Sequence, residues 1–182
     1  MDGLVNKALA AVIRDRIGEP AFVAMARTAD LDADVFVAGN VVDDAGTYRL
    51  VAAGAGALGI SESALLESLG EHWVEFAIRG GYGGFLTTAG RTLRDVLLNL
   101  DRMHEKISLN HPHVRQPTFW CTDVTPVGFV LHHTSTRAGL SSLVMGIIRG
   151  LARMHHTHVE IEHRRRLADG APHDEFAVRF LH

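Results

Sequence analysis

The stretch LHHTSTRAGL, residues 131–140, places a row of polar side chains between two apolar runs. His133, Ser135 and Arg137 alternate along it, so in an extended chain their side chains point to the same side. An imidazole, a hydroxyl and a guanidinium all donate hydrogen bonds, and a guanidinium can hold a carboxylate through a pair of them. The row therefore predicts a binding site for an acidic group. Taken alone, the same pattern also fits a polar strand end that faces water.

A second candidate is His104, which interrupts an apolar helical stripe. Leu93, Leu97, Leu100, His104 and Ile107 follow a 4-3-4-3 spacing, which puts them on one face of a helix. One interpretation is a core imidazole bonded to a backbone carbonyl. The other is an axial ligand for haem iron, because a neutral imidazole in an apolar wall can coordinate that metal. A haem also carries propionate carboxylates, which the donor row could hold.

Composition limits the class of protein. The chain has 182 residues, which suits one domain with a hydrophobic core. Its formal charge of -3 argues against a nucleic-acid binder. The one cysteine, Cys121, excludes an internal disulfide and is expected to fill core space. We expect a cytoplasmic protein without a membrane partner, because the sequence has neither a signal-peptide pattern nor a bilayer-length apolar stretch.

Hydrophobic periodicity predicts helices over roughly the first hundred residues and strands after about residue 110. NVVDDAGTYRLVAAGAGALG predicts a turn and a helix, Ser61 is the expected N-cap of a helix that ends at GGYGG, and residues 92–107 predict one amphipathic helix. Strand patterns follow in PTFWCTDV, GFVLHHTS, THVEIEHR and EFAVRFL, with the buried helix SSLVMGIIRGLARMH between the two pairs. The predicted fold class is α+β, with helices first and then a small antiparallel sheet.

Three other patterns are weaker. GAGALG, residues 54–59, matches G-x-G-x-x-G, but no second strand with a closing acid follows, so we expect no dinucleotide site. In a strand, His156, His158 and two glutamates would share a face and could bind zinc, although polar alternation on a solvated strand is the favoured explanation. The sequence has no nucleophile elbow, H-E-x-x-H or Walker loop, and we expect no enzyme.

Several segments together resemble the H-NOX family, the haem nitric oxide/oxygen binding domains, which include the haem domain of soluble guanylate cyclase and stand-alone bacterial sensors. The likeness runs through GLVNKAL, YRLVAA, LGEHWVEF, GGYGGFL, LLNLDRMH, RQPTFWC, LHHTSTRAGL and VMGIIRGL. Their order and spacing are specific. The resemblance implies the H-NOX fold over residues 1–182, with haem b (iron protoporphyrin IX) between a distal helical subdomain over about 1–60 and a proximal subdomain over about 61–182, which holds the four-stranded antiparallel sheet.

The resemblance also gives roles to single residues. His104 falls where the family has its proximal iron ligand, and Pro117 where it has a proline that presses on the porphyrin. Ser135 and Arg137 match the end of the family's Tyr-x-Ser-x-Arg signature, which binds the propionates, while His133 replaces the tyrosine. Because imidazole is shorter than a phenol and titrates near neutrality, we expect haem retention that is weaker or sensitive to pH.

Expected gas selectivity depends on the distal side of the cofactor. Oxygen-binding members of the family carry a distal tyrosine at the position that matches Leu143, whose side chain has no donor. The resemblance puts Trp73, Val5 and Leu4 on the same side, and the Trp73 indole could donate a hydrogen bond. We expect a five-coordinate ferrous haem that binds NO and CO without a stable O2 complex. An O2-binding variant that uses Trp73 is the alternative.

The resemblance implies a sensor that signals to a partner. NO is expected to loosen the link between iron and His104, so that the helix carrying it moves and a partner detects the change. In a chain of 182 residues we expect the output in a separate protein, by family analogy a histidine kinase or a cyclic-di-GMP enzyme. The alternatives are a haem transport or storage protein, a haem enzyme with a distal acid–base pair, and a zinc module at His156 and His158.

Overall fold

The computed structural model of the protein describes residues 3–31, 43–110, 116–137 and 139–181. Within these ranges it has eight α-helices and four β-strands. Two strands lie between the seventh and eighth helices, and the other two follow the eighth helix. The helices are α1 Gly3–Ile17, α2 Glu19–Thr28, α3 Asp44–Leu58, α4 Glu62–Ala77, α5 Gly83–Ala89, α6 Leu93–Leu98, α7 Leu100–Asn110 and α8 Ser141–Met154. The strands are β1 Thr118–Thr125, β2 Gly128–Thr134, β3 His158–Arg165 and β4 Asp174–Leu181.

Local sequence signals explain where α3 and α4 begin and end. Ser61 is the N-cap of α4, as predicted, since its hydroxyl accepts a hydrogen bond from the N–H of Ala64 at 3.1 Å. Helix α3 ends at Gly59, which takes a left-handed φ of 65°. GAGALG therefore forms the end of a helix and its cap, not the loop between a strand and a helix. Residues 40–42 of the predicted turn lie outside the described ranges.

The prediction of one continuous helix over residues 92–107 was wrong. The structure has two helices, α6 and α7, separated at Asn99, whose φ of -107° and ψ of 12° leave the helical region. The Asn99 amide donates to the carbonyls of Ala89 and Asp95 at 3.0 and 2.9 Å, and such side-chain bonds compete with the helical backbone pattern. The apolar stripe survives the break, because its aliphatic members are buried on both sides of it: Leu93, Leu97, Leu100 and Ile107.

The four strands form one antiparallel sheet in the order β1-β2-β4-β3. This confirms the predicted α+β class with a four-stranded antiparallel sheet. In the central pair, His133 lies opposite Asp174 and His132 lies opposite Glu175. Because side chains alternate along a strand, the two pairs point to opposite faces. We call the face with His133 the inner face and the face with His132 the outer face.

Helices α4 and α8 pack with their backbones almost in contact. A Cβ atom at Gly70 would clash with the carbonyl oxygen of Leu143, and one at Gly146 with the carbonyl oxygen of Glu67. Glycine is required at these positions because any larger residue would push the two helices apart. The close approach sets the separation between Trp73 on α4 and Leu143 on α8.

Two hydrophobic cores share α4. Its Leu65 and Leu69 belong to a core built with α1, α2 and α3, whereas its Val74 belongs to the core formed by the later helices and the sheet. Within the described ranges, no single helix is long and apolar enough to cross a membrane. The sharply bent pair Asp44–Leu58 and Glu62–Gly81 meets that test together, by length and composition.

Candidate functional site

A cavity of about 220 Å³ is lined by side chains from both cores. Its wall contains every residue for which the sequence predicted a cofactor contact: Leu4, Val5, Trp73, His104, Pro117, His133, Ser135, Arg137 and Leu143. Apolar side chains such as Phe85, Met103 and Ile148 make up most of the remainder. Helices α1, α4, α5, α7 and α8 and strands β1 and β2, with their flanking turns, therefore bring residues that are more than a hundred positions apart to one apolar pocket.

His104 enters this wall from α7 and is partly buried. Burial lowers the pKa of His104 to about 4, so the imidazole is neutral at neutral pH and keeps a lone pair. Its Nδ1 is buried and has no hydrogen-bond partner among the described residues. This nitrogen therefore does not make the carbonyl bond that a purely structural core histidine would make. The ring packs against Phe119 of β1 at 5.4 Å between centroids.

His133 lines the cavity but is already engaged by a residue that the sequence did not indicate. Its Nδ1 lies 3.1 Å from Oδ2 of Asp174, a residue that is 1% exposed. The other oxygen, Oδ1, accepts hydrogen bonds from Ser141 at 2.9 Å and from the Leu167 N–H at 3.0 Å, and His163 Nε2 lies 2.9 Å from it. With Nδ1 engaged by Asp174, only Nε2 of His133 is left to contact a cofactor.

Electrostatics within this group favour an ionised carboxylate. Burial alone would raise the pKa of Asp174, but the hydrogen bonds from Leu167, His133, Ser141 and His163 lower it below its usual range. Burial lowers the pKa of His133, although its bond to Asp174 acts in the opposite direction. The inner face thus contains a buried carboxylate whose two oxygens are both occupied.

Ser135 and Arg137 reach the cavity from a turn. Strand β2 ends at Thr134, and the Ser135 hydroxyl accepts a hydrogen bond from the Arg137 N–H at 3.1 Å. The predicted extended alternation from 133 to 137 was wrong beyond Thr134, because this local bond turns the chain. Arg137 Nε donates to Asp44 Oδ1 at 2.9 Å, which ties the turn to the start of α3.

The expected distal residues come from three helices. Leu4 and Val5 belong to α1, Trp73 to α4 and Leu143 to α8, and all four line the cavity. Only Trp73 among them carries a hydrogen-bond donor in its side chain.

The pocket fits a haem. Its walls are mostly apolar, as a buried macrocycle requires, and His104 offers a neutral imidazole that has a buried nitrogen without a described partner. Ser135 and Arg137 supply donors suited to carboxylates at the same cavity.

Comparison with known proteins identifies the family. A family model described as Haem-NO-binding matches residues 2–163. The chain belongs to the Haem-NO-binding family. It is 38% identical over 85 residues to soluble guanylate cyclase gcy-33 of Caenorhabditis elegans, covering 47% of this chain and 9% of that protein. It is 26% identical over 163 residues to gcy-31 of the same organism, covering 89% of this chain and 23% of that protein. The chain thus spans less than a quarter of these relatives.

A solved H-NOX structure confirms the fold. The H-NOX protein from S. oneidensis, solved in the Fe(II)NO state, matches with a TM-score of 0.89 over 100% of both chains at 14% identity. At that identity the match supports the fold alone. By family membership the chain is a haem-binding gas-sensor domain of the guanylate cyclase type, and such domains are not themselves catalytic.

Sequence reasoning missed Asp174 and Asp44. Asp174 lies 41 residues from its partner His133, and Asp44 lies 93 residues from Arg137. The signal for Asp174 was an acidic residue at the start of an apolar strand, but only the register of β2 against β4 reveals its partner.

Proposed function

We propose that the chain senses nitric oxide through a ferrous haem b held by His104, and that it binds NO and CO without forming a stable O2 complex. The convergence of His104 and Leu143 on one cavity carries this proposal. When bound, the haem supplies an iron atom that takes a diatomic gas as ligand. His104 supplies the neutral imidazole for that iron, while Leu143 withholds the donor that bound O2 needs.

Four further residues hold and orient the cofactor in this proposal. Ser135 and Arg137 bind its carboxylates, and Arg137 can serve Asp44 and a carboxylate together because a guanidinium has several N–H donors. Pro117 packs against the macrocycle. The Nδ1–H of His133 donates a hydrogen bond to Asp174. Its Nε2 can therefore donate to a carboxylate only when the ring is an imidazolium. Haem retention is therefore weaker than with a tyrosine at this position.

The contacts around His104 provide a route for a signal. Its ring packs against Phe119, and the Phe119 N–H donates to Asp101 of α7 at 3.0 Å. A displacement of His104 therefore moves α7 together with the start of β1. In the proposed mechanism this shift changes the relation between the distal part, residues 1–60, and the proximal part, residues 61–182. A separate cytoplasmic output protein, a histidine kinase or a cyclic-di-GMP enzyme, detects it.

Gas binding by ferrous protein tests the proposal. We would compare the wild type with Leu143→Tyr, using Leu143→Phe as the control for added size without a donor. The wild type and Leu143→Phe are expected to bind NO and CO and to show no reversible oxy spectrum in air, whereas Leu143→Tyr is expected to show one.

The main competing explanation is donation by Trp73, which Trp73→Phe tests. An oxy spectrum in the wild type that reverts under argon would contradict the proposal, and its loss in Trp73→Phe would assign O2 binding to the indole. Trp73→Phe is otherwise expected to match the wild type in all three gases.

A further inference from the structure

The outer face of the sheet gathers two imidazoles and a carboxylate at one point. His132 of β2 lies opposite Glu175 of β4, and His173 directly precedes that strand. His173 Nε2 lies within hydrogen-bond distance of Oε1 of Glu175, at 3.2 Å, and His132 Nδ1 is 3.9 Å from the same oxygen. One candidate ligand atom from each residue lies within 4.8 Å of the other two. None of these three residues belongs to the wall of the haem cavity.

The Nδ1 atom of His132 is buried without a partner. The His132 side chain is 9% exposed, and this nitrogen makes no hydrogen bond to any described residue. On the other side of the ring, Nε2 lies 2.8 Å from the Thr122 hydroxyl. If Nε2 donates to that hydroxyl, Nδ1 turns a lone pair toward the Glu175 carboxylate. Two lone pairs that face the same point are satisfied by a cation between them.

The surroundings of His132 act on its pKa in both directions. Burial and the neighbouring His173 lower this pKa, and Glu175 and Asp123 act to raise it, with a lowered pKa as the net result. A neutral imidazole is the form that binds a metal ion. Arg165 pairs with the other oxygen of Glu175, since its Nε lies 3.5 Å from Oε2.

Aromatic contacts hold the two imidazoles in place. Trp120 stacks on His132 with 5.0 Å between centroids and 5° between planes, and its edge contacts His173 at 4.9 Å. The two imidazoles meet at 66° with centroids 4.9 Å apart. Rings fixed in this way lose little freedom when they bind a shared ion, which favours affinity.

We propose that His132, His173 and Glu175 form a zinc site on the outer face of the sheet. Two nitrogen ligands and one carboxylate oxygen suit zinc, whose bonds to them are about 2.0–2.2 Å. Ligand atoms around tetrahedral zinc are therefore about 3.3–3.6 Å apart. The three candidate atoms lie within 4.8 Å of one another, so the widest pair needs to close by about 1.5 Å or less. Three protein ligands leave a fourth position for water, and Thr122 orients His132 from behind. The bound ion links β2 to β4 independently of the haem.

This cluster differs from the zinc module considered from the sequence. His156 precedes β3 in a left-handed conformation with φ of 50°, and His158 is exposed. Neither belongs to the metal-binding group found among the described residues. His158→Ala therefore provides a matched control, since it removes an imidazole from the same sheet without touching the proposed ligands.

Zinc titration of the haem-loaded full chain tests the site. After treatment with a chelator, Zn2+ is added in a non-coordinating buffer and binding is followed by calorimetry. One tight equivalent is expected in the wild type and in His158→Ala. Loss of a direct ligand in His132→Ala or His173→Ala is expected to weaken binding at least as much as the roughly 10–100-fold that changes behind a metal ligand cause.

Two checks keep the result decisive. His173 lies at a strand end and is partly exposed, so His173→Ala is expected to fold even if His132→Ala does not, and the haem absorption band reports folding in each sample. X-ray absorption at the zinc edge is expected to show two imidazoles. Wild-type binding no tighter than that of His173→Ala, an equal loss in His158→Ala, or a zinc shell without imidazoles would overturn the proposal.

Discussion

Two neighbouring histidines on β2 meet two neighbouring acids on β4, yet the two pairs have opposite character. On the inner face, Asp174 is 1% exposed, both its oxygens are engaged, and His133 is one of several partners. On the outer face, Glu175 faces two imidazoles, and His132 Nδ1 has no described partner. The inner pair is a closed network beside the cavity. The outer carboxylate has fewer partners, His173 and Arg165, and its neighbour His132 keeps a buried nitrogen without a described hydrogen bond.

The difference shows that residue types alone do not define a site. A histidine opposite an acidic residue forms a buried hydrogen-bonded network on the inner face and a candidate metal site on the outer face. What separates them is the number of donors that surround each carboxylate, because a saturated carboxylate has no lone pair left for an ion. The adjacent turn and α8 supply Leu167 and Ser141 to Asp174.

The largest expected difference between the inner and outer faces is in the free energy of unfolding. Asp174→Asn removes the charge at the centre of a buried network, and breaking such a pair costs on the order of 3 kcal/mol of unfolding free energy. Glu175→Gln alters a partly exposed carboxylate and is expected to cost less than about 1 kcal/mol without added zinc. Urea unfolding of both variants and the wild type measures the two costs. Equal costs would remove the distinction between the faces.

The pH dependence of stability tests the role of Asp174 on the inner face. The pKa of Asp174 is lowered in the folded state, so its ionised form stabilises the fold above the unfolded value of about 3.9. This contribution is lost as pH falls through the folded pKa. The gap in unfolding free energy between the wild type and Asp174→Asn is therefore expected to close below about pH 4. Urea unfolding at a series of pH values checks this, and a gap that widens in acid would contradict it.

A smaller contrast is expected in haem retention. When its ring is protonated, His133 can donate one charge-assisted hydrogen bond worth about 1.5 kcal/mol, so His133→Ala should speed haem loss about tenfold at a pH where the ring is an imidazolium. His132→Ala, on the outer face, is expected to leave the rate unchanged. Transfer of haem to an excess of a haem-free globin measures both rates. Equal acceleration in the two variants would contradict the assignment of faces.

The family tyrosine can also be restored at this position. His133→Tyr is expected to slow haem loss, because a phenol donates a hydrogen bond without needing the extra proton that the imidazole requires. Rates identical to those of the wild type from about pH 6 to about pH 8 would show that the histidine does not weaken retention.

The sequence predicted elements whose signals are local. Periodicity predicted the α+β class and the strands, and Ser61 predicted the start of α4. It did not predict the break at Asn99, because that break depends on a hydrogen bond to the carbonyl of Ala89 in a preceding helix. The turn at Ser135 was missed for a related reason, since a hydroxyl that accepts from the backbone two residues later replaced the extended pattern.

The residues expected at the site converge in the structure, but the bonds among them and their neighbours were not predicted. All nine residues suggested by the family resemblance line one cavity. The partners of His133 and Arg137 were not predicted, because Asp174 and Asp44 are distant in sequence and carry no motif. The cluster on the outer face was not predicted, because His132 is adjacent to His133 in the sequence. The two side chains point to opposite faces of the sheet, and only the strand pairing places His132 beside Glu175.

The absorption spectrum of haem-loaded ferrous protein, wild type against His104→Gly, tests most directly whether this imidazole holds the iron. The wild type is expected to show a strong Soret band of a five-coordinate haem that shifts when NO is added. His104→Gly is expected to lose that spectrum and to regain it when free imidazole is supplied. A His104→Gly protein with the wild-type spectrum in the absence of imidazole would contradict the account.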